Sequence, residues 1–252
     1  MAKKSNLAVK REEKGEIEQA GKVEMLGLEA FDTGDLVIPR YKIVQPTSKE
    51  GTPGVFKNNL TNDETDKVNV VVIAASKGRV CWGENLDEDP ICRSSDGLHP
   101  ADNIETPINS ICGTKEDGKR FEPVCQNAQW RDKNERPLCN EVINLLCINR
   151  DDQVPFFISL HGTQLKPVRA YLSALGLRKK SLYEYQATLG LKETSNHKGK
   201  FFVIQFANLK ENSPEDKEIY RTLFFQFAGH TIDQTFDAEK KMKDDLSDVP
   251  FA

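Results

Sequence analysis

Residues 83–140 interrupt an otherwise β-rich chain with a run that has little apolar periodicity and is dense in Pro, Gly, Asn and Asp. A stretch of that length without structure of its own is uncommon inside a compact domain, so something must staple it. The run carries Cys92, Cys112, Cys125 and Cys139. The chain opens on a lysine- and glutamate-rich segment with no apolar core of secretory type. That predicts a cytoplasmic protein, in which thiols serve as ligands or core residues rather than as disulfides. Zinc takes four soft ligands in a tetrahedron, and thiolates suit it best. Binding at such a site orders a loop whose apolar surface is too small to fold it alone. A structural Zn²⁺ on Cys92, Cys112, Cys125 and Cys139 is therefore expected, although no Cys-x-x-Cys pair is present. Cys81, at a strand end, and Cys147, in Ile-Asn-Leu-Leu-Cys-Ile, read as small buried hydrophobes. His99 and His161 read either as substitute ligands or as structural histidines.

The flanking segments predict the body. Residues 67–82 are rich in β-branched side chains, the strongest strand signal in the chain, with Gly78 as a candidate turn into a second strand. Residues 141–162 read as strand, turn at Asp151–Asp152, strand. Leu165, Val168, Leu172 and Leu175 recur at helical spacing, and Gly176 is placed to end that helix. Two further strands follow, at Tyr183–Glu193 and Lys200–Lys210. The segment Ile219–Gly229 suits a strand or a short helix. Residues 36–48 read as a strand broken at Pro39 and stopped at Pro46. The fold class expected is mainly β (α+β): an OB-like barrel with a zinc-stapled irregular insertion, one central helix and disordered tails. The organisation expected is an N-terminal arm over 1–24, a body over 25–230 with the insertion at 83–140, and an acidic tail over 231–252.

The net charge of −4 argues against nucleic acid, but the charge is unevenly placed. Acids crowd into 84–89, 211–218 and 237–248, and bases into 3–14, 166–180 and 192–200. Such a bipolar chain can bind DNA on one face and recruit partners with an acidic tail. Single strands are held by basic grooves interleaved with aromatics that stack on bases. Candidates of that kind are Arg40 and Tyr41; Lys77, Arg79 and Trp82; Arg93; Trp130 and Arg131; and Lys166, Arg169 and Tyr171. Trp82 suits either a stacking platform or a core residue packed on the cysteine knuckle. The basic end of the helix, Arg178 to Lys180, also suits a solvated face that complements the helix dipole.

The last residues are Asp244, Asp245, Leu246, Ser247, Asp248, Val249, Pro250, Phe251 and Ala252. Acids keep such a segment solvated, Pro250 stiffens it, and Phe251 is one large apolar anchor on a polar tether. Acids steer toward a basic patch while the aromatic fills a pocket. This string resembles the acidic tip of bacterial single-stranded DNA-binding proteins, which ends Asp-Asp-Asp-Ile-Pro-Phe; here Ala252 follows the phenylalanine. The resemblance implies partner binding through Asp244, Asp245, Asp248, Val249, Pro250 and Phe251. A second resemblance covers roughly residues 70–175. The segments Cys-Arg-Ser-Ser-Asp-Gly (92–97), Cys-Gln-Asn-Ala-Gln-Trp (125–130) and Arg-Pro-Leu-Cys (136–139), with Gln-Leu-Lys-Pro-Val-Arg-Ala-Tyr (164–171), are similar to a group of phage-encoded proteins. Members of that group often carry a close cysteine pair where Glu122 stands here. This resemblance implies phage DNA metabolism in a bacterial host cell.

No Walker loop, His-Glu-x-x-His or Gly-x-Ser-x-Gly elbow is present, and the acids at 84–89 read as a solvated turn rather than a Mg²⁺ site. No enzyme activity is expected, and no stretch approaches the ~20 apolar residues of a membrane span. The function expected is single-stranded DNA binding in phage replication or recombination, with partner proteins recruited through the tail. The alternative is a recombination directionality factor or other adaptor that acts on an integrase. A homo-oligomer is compatible with either.

Overall fold

In the computed structural model the described residues are 37–48, 50–82, 90–101, 104, 107–116, 121–130, 136–197 and 199–227. The N-terminal arm, the acidic tail with its tip, and Arg131 lie outside them. The chain divides into two units after Val37, and the fold described is that of the second.

β4 (Val68–Cys81) is the hub of the fold. Its sequence, Val-Asn-Val-Val-Val-Ile-Ala-Ala-Ser, is apolar at successive positions, as a strand buried on both faces requires. Val70 and Val72 enter one core, Val71 and Ile73 the other. A register shift between Val72 and Ala74 bends the strand. Gly78 does not turn the chain, and β4 runs through it as one strand of 14 residues.

β8 (Cys139–Asn149) pairs along most of β4, and β9 (Pro155–His161) returns along β8 through the expected turn. β10 (Tyr185–Asn196) pairs the start of β4 and forms a long hairpin with β11 (Gly199–Glu211). β1 (Arg40–Ile43) adds to β9 in parallel and is followed by β2 (Phe56–Asn58) and β3 (Glu64–Thr65). The order across the sheet is β11-β10-β4-β8-β9-β1-β2-β3.

The sheet curls into a half-barrel, and two glutamines bridge its seam. The Gln45 side chain, just after β1, donates to the Phe202 carbonyl (2.9 Å) and accepts from the Phe202 amide (2.8 Å) on β11. Gln164, just after β9, donates to the same carbonyl (2.8 Å) and accepts from the Ile204 amide (2.7 Å). Each primary amide carries one donor end and one acceptor end, so it pairs with β11 as a strand would. Gly54 (φ +89°) lets the chain pass close to the Phe202 ring: a Cβ there would sit 2.7 Å from it.

α1 (Leu165–Leu177) fills the concave side. Val168, Tyr171 and Leu175 point into the core formed by Ile143, Leu145, Ile158, Leu160, Leu189 and Ile204. Each such buried side chain contributes ~1.5–3 kcal/mol. The helix runs one residue past Gly176, and the reversal falls on Lys179 in the left-handed region (φ 53°), with the Lys180 amide bonded to the Leu175 carbonyl. A second helix, α2 (Pro214–Phe227), occupies the segment read as strand or short helix. Its Tyr220 enters the core on the opposite face of the sheet, with Val71, Ile73, Leu146, Ile148 and Phe157. Arg150 ties the helix to the β8–β9 turn through Asp216 (3.1 Å).

Candidate nucleic-acid interface and thiol cluster

The irregular insertion is knit by backbone bonds more than by apolar packing. β5 (Cys92–Ser94) pairs with the end of β4. The Asp96 carboxylate then accepts from the Leu98 and His99 amides (2.6 and 2.8 Å), the Ser94 hydroxyl (3.0 Å) and the His99 ring (2.9 Å). Burial works against ionisation there, but these bonds outweigh it and hold the Asp96 carboxyl at about 2. Gly97 supplies the positive φ that the turn needs (76°). The turn presents the Leu98 carbonyl to the Cys112 amide (2.7 Å), and the Cys112 carbonyl in turn accepts from Val124 and Cys125 (3.1 Å each). The short strands β6 (Gly113–Thr114) and β7 (Glu122–Pro123) pair here. The Cys-Arg-Ser-Ser-Asp-Gly segment is thus a carboxylate-capped turn that positions two cysteines.

All six cysteines are free and buried. Cys92, Cys125 and Cys139 meet in one small cluster, which Cys81 and Ala128 complete. Cys112 lies beside it, with its thiol bonded to Ser94, and burial first, then its neighbours Cys139 and Cys92, push it up to about 11. A hydrogen bond between Cys81 and Cys139 holds the Cys81 thiol below its ordinary value and, together with burial, raises that of Cys139. The sequence reading placed Cys81 in the core and missed its company. The signal that would have found it, its register opposite Cys92 and Cys139, is not local. Among the described residues no group of three or more His, Cys, Asp or Glu side chains stands in an arrangement that could hold a metal ion as placed. His99 is engaged by Asp96. His161 is buried on β9 opposite Val142, where burial and the nearby Arg136 push its pKa down to about 4.

The basic and aromatic candidates divide into buried and exposed. Tyr171 is buried and stacked on Phe206 (centroids 4.3 Å, 14° between planes), and burial raises its hydroxyl pKa. Tyr41 packs edge-on against Phe156 at 4.6 Å. Trp82 is buried with Val80 and Val142. As placed, the rings of Tyr171 and Trp82 are closed off, and Tyr41 is half-buried. Arg79 and Arg93 are buried on β4 and β5; Arg79 lies 4.2 Å from the Phe121 ring and donates to the Cys139 carbonyl (3.4 Å). Trp130 is 59% exposed at the end of the insertion. Lys166, Arg169 and Lys77 are exposed, and Arg169 (2.8 Å) and Lys77 (3.6 Å) both reach Glu141. Burial would raise the Glu141 carboxyl, but the Arg169 bond and the neighbouring cations hold it below the usual range.

Arg40 belongs to a polar row on the α2 side of the sheet. Asn144 on β8 stands opposite Ser159 on β9, whose hydroxyl donates to Asn144 Oδ1 (2.6 Å), and Arg40 Nη1 donates to Ser159 Oγ (3.4 Å). The Arg40 guanidinium lies 5.6 Å from the Phe157 ring. Asn144 is 1% exposed, and its Nδ2 has no hydrogen-bond partner among the described residues. A buried amide donor left unpaired is costly and calls for an explanation. Asn144 and Ser159 were not among the sequence candidates.

A family described as "Pam3 phage gp34-like protein" matches residues 8–224. The chain belongs to this family. The match takes in the insertion, the half-barrel and most of α2, and it makes the chain a phage protein, as the second resemblance implied. No curated protein matches, and no solved structure matches. No helix among the described residues is long and apolar enough to cross a membrane.

Proposed function

We propose that this gp34-like chain is a single-stranded DNA-binding protein of phage replication or recombination, built on an OB-type body. The strand order carries the reading. β11-β10-β4-β8-β9 with α1 between β9 and β10 is the arrangement of a partly open five-stranded Greek-key barrel, in which β8 and β9 are the second and third strands. Such barrels bind oligonucleotides on the face of those two strands and on the loop between the first and second. In this chain that face bears the row Arg40, Ser159 and Asn144, and that loop is the cysteine insertion with the exposed Trp130. Arg40 and Asn144 are buried as placed, 8% and 1% exposed, so they shape this face from within, and the exposed ring of Trp130 is the group suited to stack on a base. The acidic tip, Asp244 to Phe251, serves as the recruiting device for replication or recombination proteins.

The test is fluorescence anisotropy of labelled oligo-dT against a duplex of equal length, at low and moderate salt. Strong preference for the single strand, weakening steeply with salt as counterions return to the phosphates, supports the reading. Absence of binding to either refutes it. Deletion of residues 244–252 should raise DNA affinity and abolish partner recruitment; unchanged affinity with intact recruitment removes the tail from the proposal.

One observation favours the adaptor as second reading. Ile91, Ile108, Ile111, Val124, Trp130 and Leu138, all in the insertion, expose large apolar side chains, and where such side chains adjoin they mark an interaction surface. The oligo-dT titration separates the two, because a pure adaptor binds neither the single strand nor the duplex.

A further inference from the structure

We propose that Cys81, Cys92, Cys125 and Cys139 bind one Zn²⁺ as a four-thiolate structural site, with Cys112 beside the site rather than in it. The assignment is independent of the DNA-binding reading and differs by one ligand from the four cysteines that the irregular insertion suggested.

The sheet itself assembles three of the thiols. Cys81, the last residue of β4, stands opposite Cys92 on β5 and opposite Cys139 on β8. Directly opposed side chains of antiparallel strands share a face with Cβ atoms ~4.5–5.5 Å apart. Cys92, Cys81 and Cys139 therefore form a row across three strands. Cys125, which opens the short 3-10 turn Gln126–Ala128, brings the fourth thiol from the far end of the insertion.

The composition of this cluster is the stronger argument. Among the described residues it contains four thiols and the methyl of Ala128, with no Val, Leu, Ile or aromatic side chain. Ile91, Val124, Trp130 and Leu138 of the same insertion are each more than 40% exposed. A cluster with so little aliphatic area gains little from apolar burial. A cluster this small cannot offset the ordering entropy of the loop it holds, at ~1–2 kcal/mol per residue, whereas a structural zinc supplies folding free energy directly.

Cys112 has a different task. Its carbonyl suspends the Val124–Cys125 segment, its thiol is taken by Ser94, and it is not a member of the packed cluster. Arg79, buried and two residues before Cys81 on the same face, lies against the Cys139 carbonyl. A tetrathiolate zinc centre is a dianion, and a guanidinium at that position compensates part of its charge. Binding would release the four thiol protons to solvent as four Zn–S bonds form. The two outer strands of the row are about 9–10 Å apart at strand spacing, so closing bonds of ~2.3 Å must draw β5 and the Cys125 turn inward. As placed, no such arrangement stands among the described residues, and the proposal requires this closure.

The experiment is zinc analysis and Co²⁺ titration of the full chain and of Cys81→Ser and Cys112→Ser. The expected result is one zinc per wild-type chain, a tetrahedral cobalt-thiolate spectrum, loss of both in Cys81→Ser, and retention of both in Cys112→Ser with affinity lowered by no more than about 10–100-fold, as for a residue beside the ligands. A wild-type chain that holds no zinc and gives no cobalt spectrum overturns the site. Loss in Cys112→Ser with retention in Cys81→Ser overturns the ligand set. Because Cys81→Ser can fail to fold, the wild-type chain is also alkylated with and without chelator and mapped by mass spectrometry. Protection of Cys81, Cys92, Cys125 and Cys139 that the chelator abolishes supports the set; protection of Cys112 with reaction at Cys81 refutes it.

Discussion

The glutamine seam makes a quantitative prediction. The Phe202 carbonyl is shared: it accepts from Gln45 at 2.9 Å and from Gln164 at 2.8 Å, while the Phe202 and Ile204 amides each have one glutamine acceptor. Gln164→Met, close to isosteric, leaves the buried Ile204 amide without an acceptor and should cost ~1–3 kcal/mol. Gln45→Met leaves the Phe202 amide unpaired; Phe202 is only half-buried, so its cost belongs at the lower end of that range. In either single variant the Phe202 carbonyl keeps one donor. In the double variant it keeps none, and a further ~1–3 kcal/mol is lost. The double variant must then be less stable than the sum of the singles predicts. Urea unfolding of the four proteins, extrapolated linearly, gives the cycle. Additivity within ~0.5 kcal/mol, or two singles indistinguishable from wild type, would refute the idea that side-chain amides complete the barrel.

Other outcomes follow from single groups. Burial lowers the His161 pKa to about 4 from an ordinary 6.5, so protons bind the unfolded chain more readily. Stability should be full above pH 6.5 and fall by roughly 3 kcal/mol as the pH drops toward 4, and His161→Gln should flatten that fall in urea midpoints measured at pH 7.5 and 5. The Asp96 carboxyl, held at about 2, contributes stability present above its ordinary value of 3.8 and lost as pH falls through 2. Its side chain is 48% exposed, so the direct electrostatic part is below ~1 kcal/mol. The larger effect of Asp96→Ala should be local, seen as faster proteolysis within residues 92–125. Asp216→Ala should unhook α2 from Arg150 at a cost of ~0.5–1 kcal/mol, with faster amide exchange confined to 214–227; unchanged exchange there would mean that Tyr220 alone anchors the helix.

What could be read from the sequence depended on whether the cause was local. β4 was legible because a strand buried on both faces writes itself as an unbroken apolar run. α1 was legible from its spacing, although its end was not: Lys179 takes the left-handed conformation that Gly176 seemed placed to supply. α2 carried a start signal, with the Ser213 hydroxyl accepting from the Asp216 amide (3.1 Å), Pro214 after it and acids in the first turn. The apolar Leu223–Phe225 run masked that signal. The side chains of the candidate interface were the least legible. Nothing near Tyr171 in the sequence announces Phe206, and nothing near Asn144 announces Ser159 and Arg40. Cys81 looked like filler because its two thiol neighbours come from other strands.

The parallel pairing of β1 with β9 has a consequence during synthesis. Arg40 meets Ser159 across 119 residues of chain. At ~5–20 residues per second, the ribosome delivers β9 roughly 6–24 s after Arg40 has been made. Through that interval the β1–β3 meander has hydrogen-bonding groups of one edge exposed and no core of its own to hold it. Unpaired edges are where nascent chains join one another. When several copies are translated close together, these first strands are the part of the fold that depends most on what else occupies that edge before β9 arrives.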